Sequence, residues 1–304
     1  MLCGEPSKKG DIIMKTIYQW GGGLRRLAVL GLCCMLLLTS MTVAAQAATP
    51  SFPAGSTPTR VYVEGREVLD GECVIIDSIT YVPLRNFCNL FADCKITWDG
   101  RTNTATVKTA DLTLTAQADA LYITANGHCY YTVGRVRNLG GHLYVPIRPL
   151  ARSFALDLTW NAGARAVELE YIGSRRAVEP ASYDQDDLYW LSRIISAESA
   201  GEPFLGQIAV GNVVLNRVRS SSYPNTIYGV IFDRKHGTQF SPVSFGTIYN
   251  KPAASAVIAA KICLEGYSVS DTALFFLNPR IATNNWIVKN RPYAFSIGNH
   301  DFYN

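Results

Sequence analysis

An internal duplication constrains the fold of this 304-residue chain more than any other feature of it. Tyr81-Val82-Pro83-Leu84-Arg85 recurs as Tyr144-Val145-Pro146-Ile147-Arg148, and Ile96-Thr97-Trp98-Asp99 recurs as Leu158-Thr159-Trp160-Asn161. The offset is 63 residues at the first motif and 62 at the tryptophan, so one deletion separates two copies of one unit. Val61-Tyr62-Val63 and Leu121-Tyr122-Ile123 open the copies as strands and run into the turn residues Glu64-Gly65 and Asn126-Gly127. Helices are expected over 85–91 and 148–154, with Pro83 and Pro146 near their starts. Each tryptophan strand then turns at Asp99-Gly100 or Asn161-Ala162-Gly163 and returns through the alternating Thr104-Ala105-Thr106-Val107 or Ala166-Val167-Glu168-Leu169.

This order of YVPLR, short helix and W-D/N-G resembles the stalk-type module known as the copper amine oxidase N-terminal domain, over residues 60–172. The resemblance implies a non-catalytic spacer or a module that binds the cell-wall surface. Despite the name, no copper-ligand pattern is present: His128 and His142 stand alone in turn-rich segments and read as solvated. No cofactor and no metal are expected.

Ahead of this domain, Arg25-Arg26, an apolar run from Leu27 to Leu38 and the small-residue end Ala45-Gln46-Ala47 read as an export signal over 1–47, with 48–59 as linker. Five basic and two acidic residues lie in that signal, which leaves 23 basic against 22 acidic residues in the rest of the chain. With no basic run there, a nucleic-acid surface is not supported. Of eight cysteines, Cys73, Cys88, Cys94, Cys129 and Cys263 lie beyond the signal, an odd number with no CxxC spacing. Buried thiols are the expectation, and at most two disulfides are possible. Oligomeric state is not legible.

A polar linker over 173–186 leads to a change of pattern at residue 187, where the C-terminal domain, 187–304, begins. Leu191, Ile194, Ile195 and Glu198 fall at i, i+3, i+4 and i+7, so a carboxylate ends the apolar face of a helix that Gly201 and Pro203 stop. Desolvation by that core, with the carbonyl end of the helix dipole, raises a glutamate pKa toward a range where it donates a proton at neutral pH. Two further helices are expected, from Pro203 to Ser220 and over 253–264. The remainder reads as turns rich in aromatics.

Aromatic faces and amides around one acid suit a polysaccharide, whose rings present flat C–H faces and polar edges. The candidate substrate-binding residues are Gln207, Gln239, Phe240, Phe276, Asn278, Trp286 and His300, with Asn284, Asn285 and Asn299 as further amides. Residues 187–303 resemble the SleB/CwlJ-type cell-wall hydrolases, the group that includes spore cortex-lytic enzymes. The matching motifs include Ala197-Glu198-Ser199-Ala200-Gly201-Glu202-Pro203, Val214-Leu215-Asn216-Arg217-Val218, Gln239-Phe240-Ser241-Pro242 and Ile297-Gly298-Asn299-His300-Asp301-Phe302-Tyr303. The chain departs from the pattern at Phe275-Phe276-Leu277, where tyrosines are expected, and at Ser270-Asp271-Thr272, in place of a Gly-Gly. The resemblance implies a mainly α lysozyme/transglycosylase-like fold, hence an α+β chain overall. It also implies peptidoglycan glycan strands as substrate and Glu198 as the catalytic acid.

Two-carboxylate glycosidases need a second acid at a set distance. Spacing does not place one among Glu202, Asp233, Glu265, Asp271 and Asp301. A lytic transglycosylase avoids the requirement, because one glutamate acts as acid and then as base. That is the expected activity of an exported wall enzyme, with spore cortex lysis in germination as one setting. The alternatives are a water-using muramidase and a non-catalytic wall-binding envelope protein.

Overall fold

The computed structural model describes residues 52–304 except Ala92 and His236; the expected export signal and the first residues of the expected linker lie outside that range. The chain is α+β, β-rich first and mainly helical after residue 184.

The β-rich part runs β1 (Thr57–Pro58), β2 (Arg60–Val63), β3 (Arg66–Val68), β4 (Val74–Ile76), β5 (Ile79–Pro83) and α1 (Leu84–Asn89). It continues with β6 (Lys95–Asp99), β7 (Thr104–Lys108), β8 (Thr113–Gln117), β9 (Tyr122–Ala125), β10 (His128–Tyr131) and β11 (Arg137–Leu139). β12 (His142–Pro146), α2 (Ile147–Ser153), β13 (Leu156–Asn161) and β14 (Ala166–Tyr171) complete it. The two helices follow Pro83 and Pro146 directly, since proline's fixed φ suits a helix start and its missing N–H costs nothing there.

The repeated strands β5 and β12 pair antiparallel, with Val82 opposite Val145 and Tyr81 opposite Pro146. Equivalent residues meet, so the copies are related by an approximate twofold through this pair. The copies also exchange their opening strands. β2 of the first copy pairs parallel with β14 of the second, Val61 opposite Val167. The second copy's β9 joins β6 and β7 of the first through β8, giving the order β10-β9-β8-β7-β6. One interlocked core results, containing Val61, Phe87, Val107, Leu114, Ile123 and Leu150.

The helical part holds α3 (Gln185–Ser199), α4 (Phe204–Arg219), α5 (Ile227–Phe232), α6 (Ser241–Phe245), α7 (Ala254–Leu264) and α8 (Trp286–Asn290). α3 starts inside the expected linker because Asp184 caps it, its carboxylate accepting from the amides of Asp186 and Asp187. The three helices legible from sequence pack together through Leu191, Ile194, Ile195, Ile208, Val214 and Ala259. Gly211 permits the close crossing: a Cβ there would sit 2.7 Å from Cys263 Sγ and 2.8 Å from Ile195 Cδ1. The segments expected as aromatic turns instead include the short helices α5, α6 and α8. They also form a three-stranded sheet of β15 (Phe275–Leu277), β17 (His300–Tyr303) and β16 (Tyr293–Ile297).

Strand β10 is shared, since Cys129 belongs to the helical core. His128 is not simply solvated: its Nδ1 lies 2.6 Å from Glu265 Oε1, which also accepts from Tyr183 Oη at 2.6 Å. Cys73, Cys88, Cys129 and Cys263 are buried free thiols and Cys94 a half-buried one. Burial pushes Cys129 up to about 11, so it stays a thiol at neutral pH. Among the described residues no helix is long and apolar enough to cross a membrane.

Candidate active site

Glu198 sits in the last turn of α3, one turn beyond the fully buried Ile194 and Ile195. It is half-buried, and no described residue hydrogen-bonds its carboxyl. Burial pushes its pKa up to about 7, from an ordinary 4.5, while the positive charge of Arg217 pulls in the opposite direction. No direct ion pair joins the two among the described residues. An acid so placed is roughly half protonated at neutral pH.

Arg217 comes from the last turn of α4, which also carries Arg219, and it is the buried one of the two. It is 5% exposed. Its Nε donates to the Leu274 carbonyl at 2.8 Å and its Nη1 to Gln239 Oε1 at 3.5 Å. The guanidinium also lies 5.1 Å from the ring centres of Tyr223 and Phe240 and 5.5 Å from that of Phe275. Two asparagines on the same helix fix the segment above it. Asn212 accepts from the Val269 amide and donates to the Tyr267 carbonyl, and Asn216 donates to the carbonyls of Ser270 and Ala273. Ser270 Oγ accepts from the amides of Thr272 and Ala273, so a serine turn stands where the family pattern has glycines.

The residues expected to bind substrate separate into three groups. Phe240, Gln207 and His300 are buried, at 2%, 4% and 7% exposure. Phe240 packs on Phe276, whose ring centre is 5.2 Å from that of His300. Gln207 Oε1 and His300 Nδ1 are enclosed with no hydrogen-bond partner among the described residues. Burial holds His300 below the ordinary imidazole value against the pull of Glu202 and Asp301, so it is neutral at pH 7. Gln239, Phe276 and Asn278 are half-buried. Gln239 holds Arg217, and Asn278 is committed to a turn, its Oδ1 accepting from the Arg280 amide at 3.0 Å. Trp286 is 48% exposed on α8, edge-on to Phe275, with the Arg291 guanidinium 5.2 Å from its ring centre.

A match to the Cell Wall Hydrolase family model covers residues 201–303, starting immediately beyond the helix end that carries Glu198. The solved catalytic domain of the germination-specific lytic transglycosylase SleB from Bacillus anthracis is 41% identical, with 41% of this chain and 99% of that one covered, at a TM-score of 0.38. The chain belongs, through its C-terminal domain, to the cell wall hydrolase family. The solved catalytic domain of the Bacillus cereus SleB protein is 39% identical over 43% of this chain and all of that one, at a TM-score of 0.37. A spore cortex-lytic enzyme of Bacillus cereus is 39% identical over 142 residues, 47% of this chain and 53% of the relative. The Bacillus subtilis enzyme of that name is 37% identical over 123 residues, 40% of this chain and 39% of the relative. The chain therefore spans about half the length, or less, of these two spore cortex-lytic enzymes. A second match, to the copper amine oxidase N-terminal domain, covers residues 62–169.

Within this cell wall hydrolase domain the remaining carboxylates have other tasks. Glu202 lies past the end of α3 and accepts from the Asn299 amide at 2.8 Å and from Asn299 Nδ2 at 3.1 Å, bracing the turn between β16 and β17. Burial works against its ionisation, but the Asn299 bonds and the nearby His300 outweigh burial and keep its pKa below the ordinary value. Asp301 accepts from Ser296, Asp233 from the Lys235 amide, and Glu265 is tied to His128. Asp271 is exposed. Among the described residues, Arg217 is the one charge that shifts Glu198. Sequence reasoning missed Arg217, although its unpaired charge between Val213, Val214 and Val218 was the signal that locates it.

Proposed function

We propose that this chain cleaves the glycan strands of peptidoglycan as a lytic transglycosylase, with Glu198 acting alone as acid and then base. The observation that carries the proposal is a single half-buried carboxyl with a pKa near 7 and no carboxylate among the charges acting on it. Protonated Glu198 gives its proton to the glycosidic oxygen as the C1–O bond breaks and positive charge develops on the sugar. The resulting carboxylate then takes the proton of that sugar's own C6 hydroxyl, whose oxygen closes on C1 as a 1,6-anhydro ring. Glu198 ends protonated, and no water is consumed. The named activity of the SleB relatives agrees with this reaction, and an extracytoplasmic site of action follows from a wall substrate.

The β-rich domain is assigned to holding the enzyme at the wall, with boundaries near 60–172 and the catalytic domain after residue 184. Mass analysis of fragments released from purified peptidoglycan tests the reaction. Anhydro-ended fragments are expected from the unsubstituted chain and none from Glu198→Gln; reducing ends without anhydro product overturn the single-acid route.

A further inference from the structure

The duplicated domain carries two equivalent grooves, and its two copies keep the same exposed residues in them. Most residues of the repeated motif have a structural reason to be there. Tyr81, Tyr144, Val82, Val145, Leu84 and Ile147 are core. Pro83 and Pro146 start the helices, while Asp99 and Asn161 accept bonds from the amides of the turns that follow. Trp98 and Trp160 have no such reason. They are 49% and 46% exposed, and neither has an aromatic or hydrogen-bonding partner among the described residues. Arg85 and Arg148 are likewise exposed and, among the described residues, make no ion pair.

These four line the two grooves in matching positions. The first groove, about 260 Å³, holds Arg85, Ile96 and Trp98, and the second, about 630 Å³, holds Arg148, Leu158 and Trp160. Both tryptophans sit on edge strands, β6 and β13, where the apolar face of alternate residues runs out past the core. Each groove is closed by the other copy: Asn138 and His142 line the first, and their counterparts Ile75 and Ile79 line the second. The second also reaches Tyr130, Tyr131 and Tyr267, beside the helical domain.

From this arrangement we infer that the two grooves are paired binding sites for peptidoglycan, each stacking one sugar ring on its tryptophan and pairing its arginine with a carboxylate of the lactyl or peptide substituents. The face of an exposed indole takes the C–H face of a sugar ring, and an unpaired guanidinium selects an anion. A wall strand repeats both features along its length, so two linked sites engage it together. The assignment rests on the wall substrate proposed above, and it goes beyond that by giving the β-rich domain defined contacts.

Pelleting of the full chain with purified peptidoglycan, in a Glu198→Gln background that keeps the polymer intact, tests it. Fragment release by the unsubstituted chain is scored in parallel. Removing both rings by Trp98→Ala with Trp160→Ala should weaken binding on the order of 10²-fold, as loss of linked sites does, and each single change less. The Trp98→Phe and Trp160→Phe pair, which keeps an aromatic face, should hold most of the affinity, so loss of the ring is separated from misfolding. Amidating the wall carboxyls should weaken the parent chain but add little to Arg85→Gln with Arg148→Gln. Unchanged pelleting by the double alanine variant overturns the inference even where fragments are released. Tryptophan-dependent pelleting without fragment release upholds it and refutes the catalytic proposal. Binding that vanishes when phosphate-rich polymers are stripped from whole wall assigns the grooves to those polymers and overturns peptidoglycan as the ligand.

Discussion

Replacing Glu198 with glutamine should stabilise the fold at alkaline pH while abolishing catalysis. Glu198 has its pKa raised from 4.5 to about 7, with burial as the main cause. Between those values the unfolded chain has released this proton and the folded chain still holds it. Stability therefore falls as pH rises from 4.5 and levels off once both states are ionised, above about 7. At about 1.36 kcal/mol per pKa unit the loss amounts to about 3 kcal/mol. Glutamine has the same shape and no titration, so it escapes the loss.

Chemical unfolding followed by far-UV circular dichroism, which reports mainly on the helical domain, measures this at about pH 5 and about pH 8 for both proteins. Their stability difference should shift in favour of the variant by about 2.5 kcal/mol between the two conditions, the rest of the loss having occurred below about pH 5, with other titrating groups cancelling in the comparison. A stability difference that is the same at both pH values would falsify the desolvation argument, whatever happens to activity.

Other substitutions probe the surroundings of the acid. The alkaline limb of kcat/KM should fall with a midpoint near 7, and Arg217→Gln should move that midpoint upward, because the Arg217 charge opposes the rise; a downward move contradicts the assigned electrostatics. Glu202→Gln removes a charged acceptor of two Asn299 bonds and should cost about 1–3 kcal/mol at neutral pH. Because the Glu202 pKa is lowered, that contribution is complete above 4.5 and is lost as pH falls below it, so urea titrations in acid should show the penalty shrinking. Gly211→Ala drives a methyl into Cys263 and Ile195 and should lower stability by about 1–3 kcal/mol, seen as a lower urea midpoint at unchanged slope.

The acid was legible because its signal is local. Four residues at helical spacing and two helix breakers fix the face on which Glu198 lies. The repeat was legible for the same reason, as were the proline-started helices. Exchange of β2 and β9 between the copies was not, because strand partners far apart in sequence leave no periodic trace and β8 has no counterpart in the repeat. The small sheet was hidden as well. β15 is Phe275-Phe276-Leu277, half-buried at every position, so it lacks the alternation that marks a strand. Burial of Phe240, Gln207 and His300 depends on what packs over them, and residue type alone favours exposure for the glutamine and leaves the histidine undecided.

On the proposed route, Arg217 is what lets one acid serve twice. Burial alone would raise the Glu198 pKa further and leave a carboxyl too reluctant to ionise for the second, base-catalysed half of the cycle. A direct ion pair would pull it down toward ordinary carboxylate values and leave too little acid for the first half. The structure lies between these limits: the guanidinium is buried and held by the Leu274 carbonyl and Gln239, near enough to oppose desolvation without pairing with the carboxyl. The same residue thus anchors β15 through Leu274 and balances the acid. A departure from the family pattern at Phe275 to Leu277 changes which rings line the surface, while the backbone carbonyl that holds Arg217 is kept. The chemistry therefore tolerates variation in that strand's side chains for as long as Arg217 keeps its place.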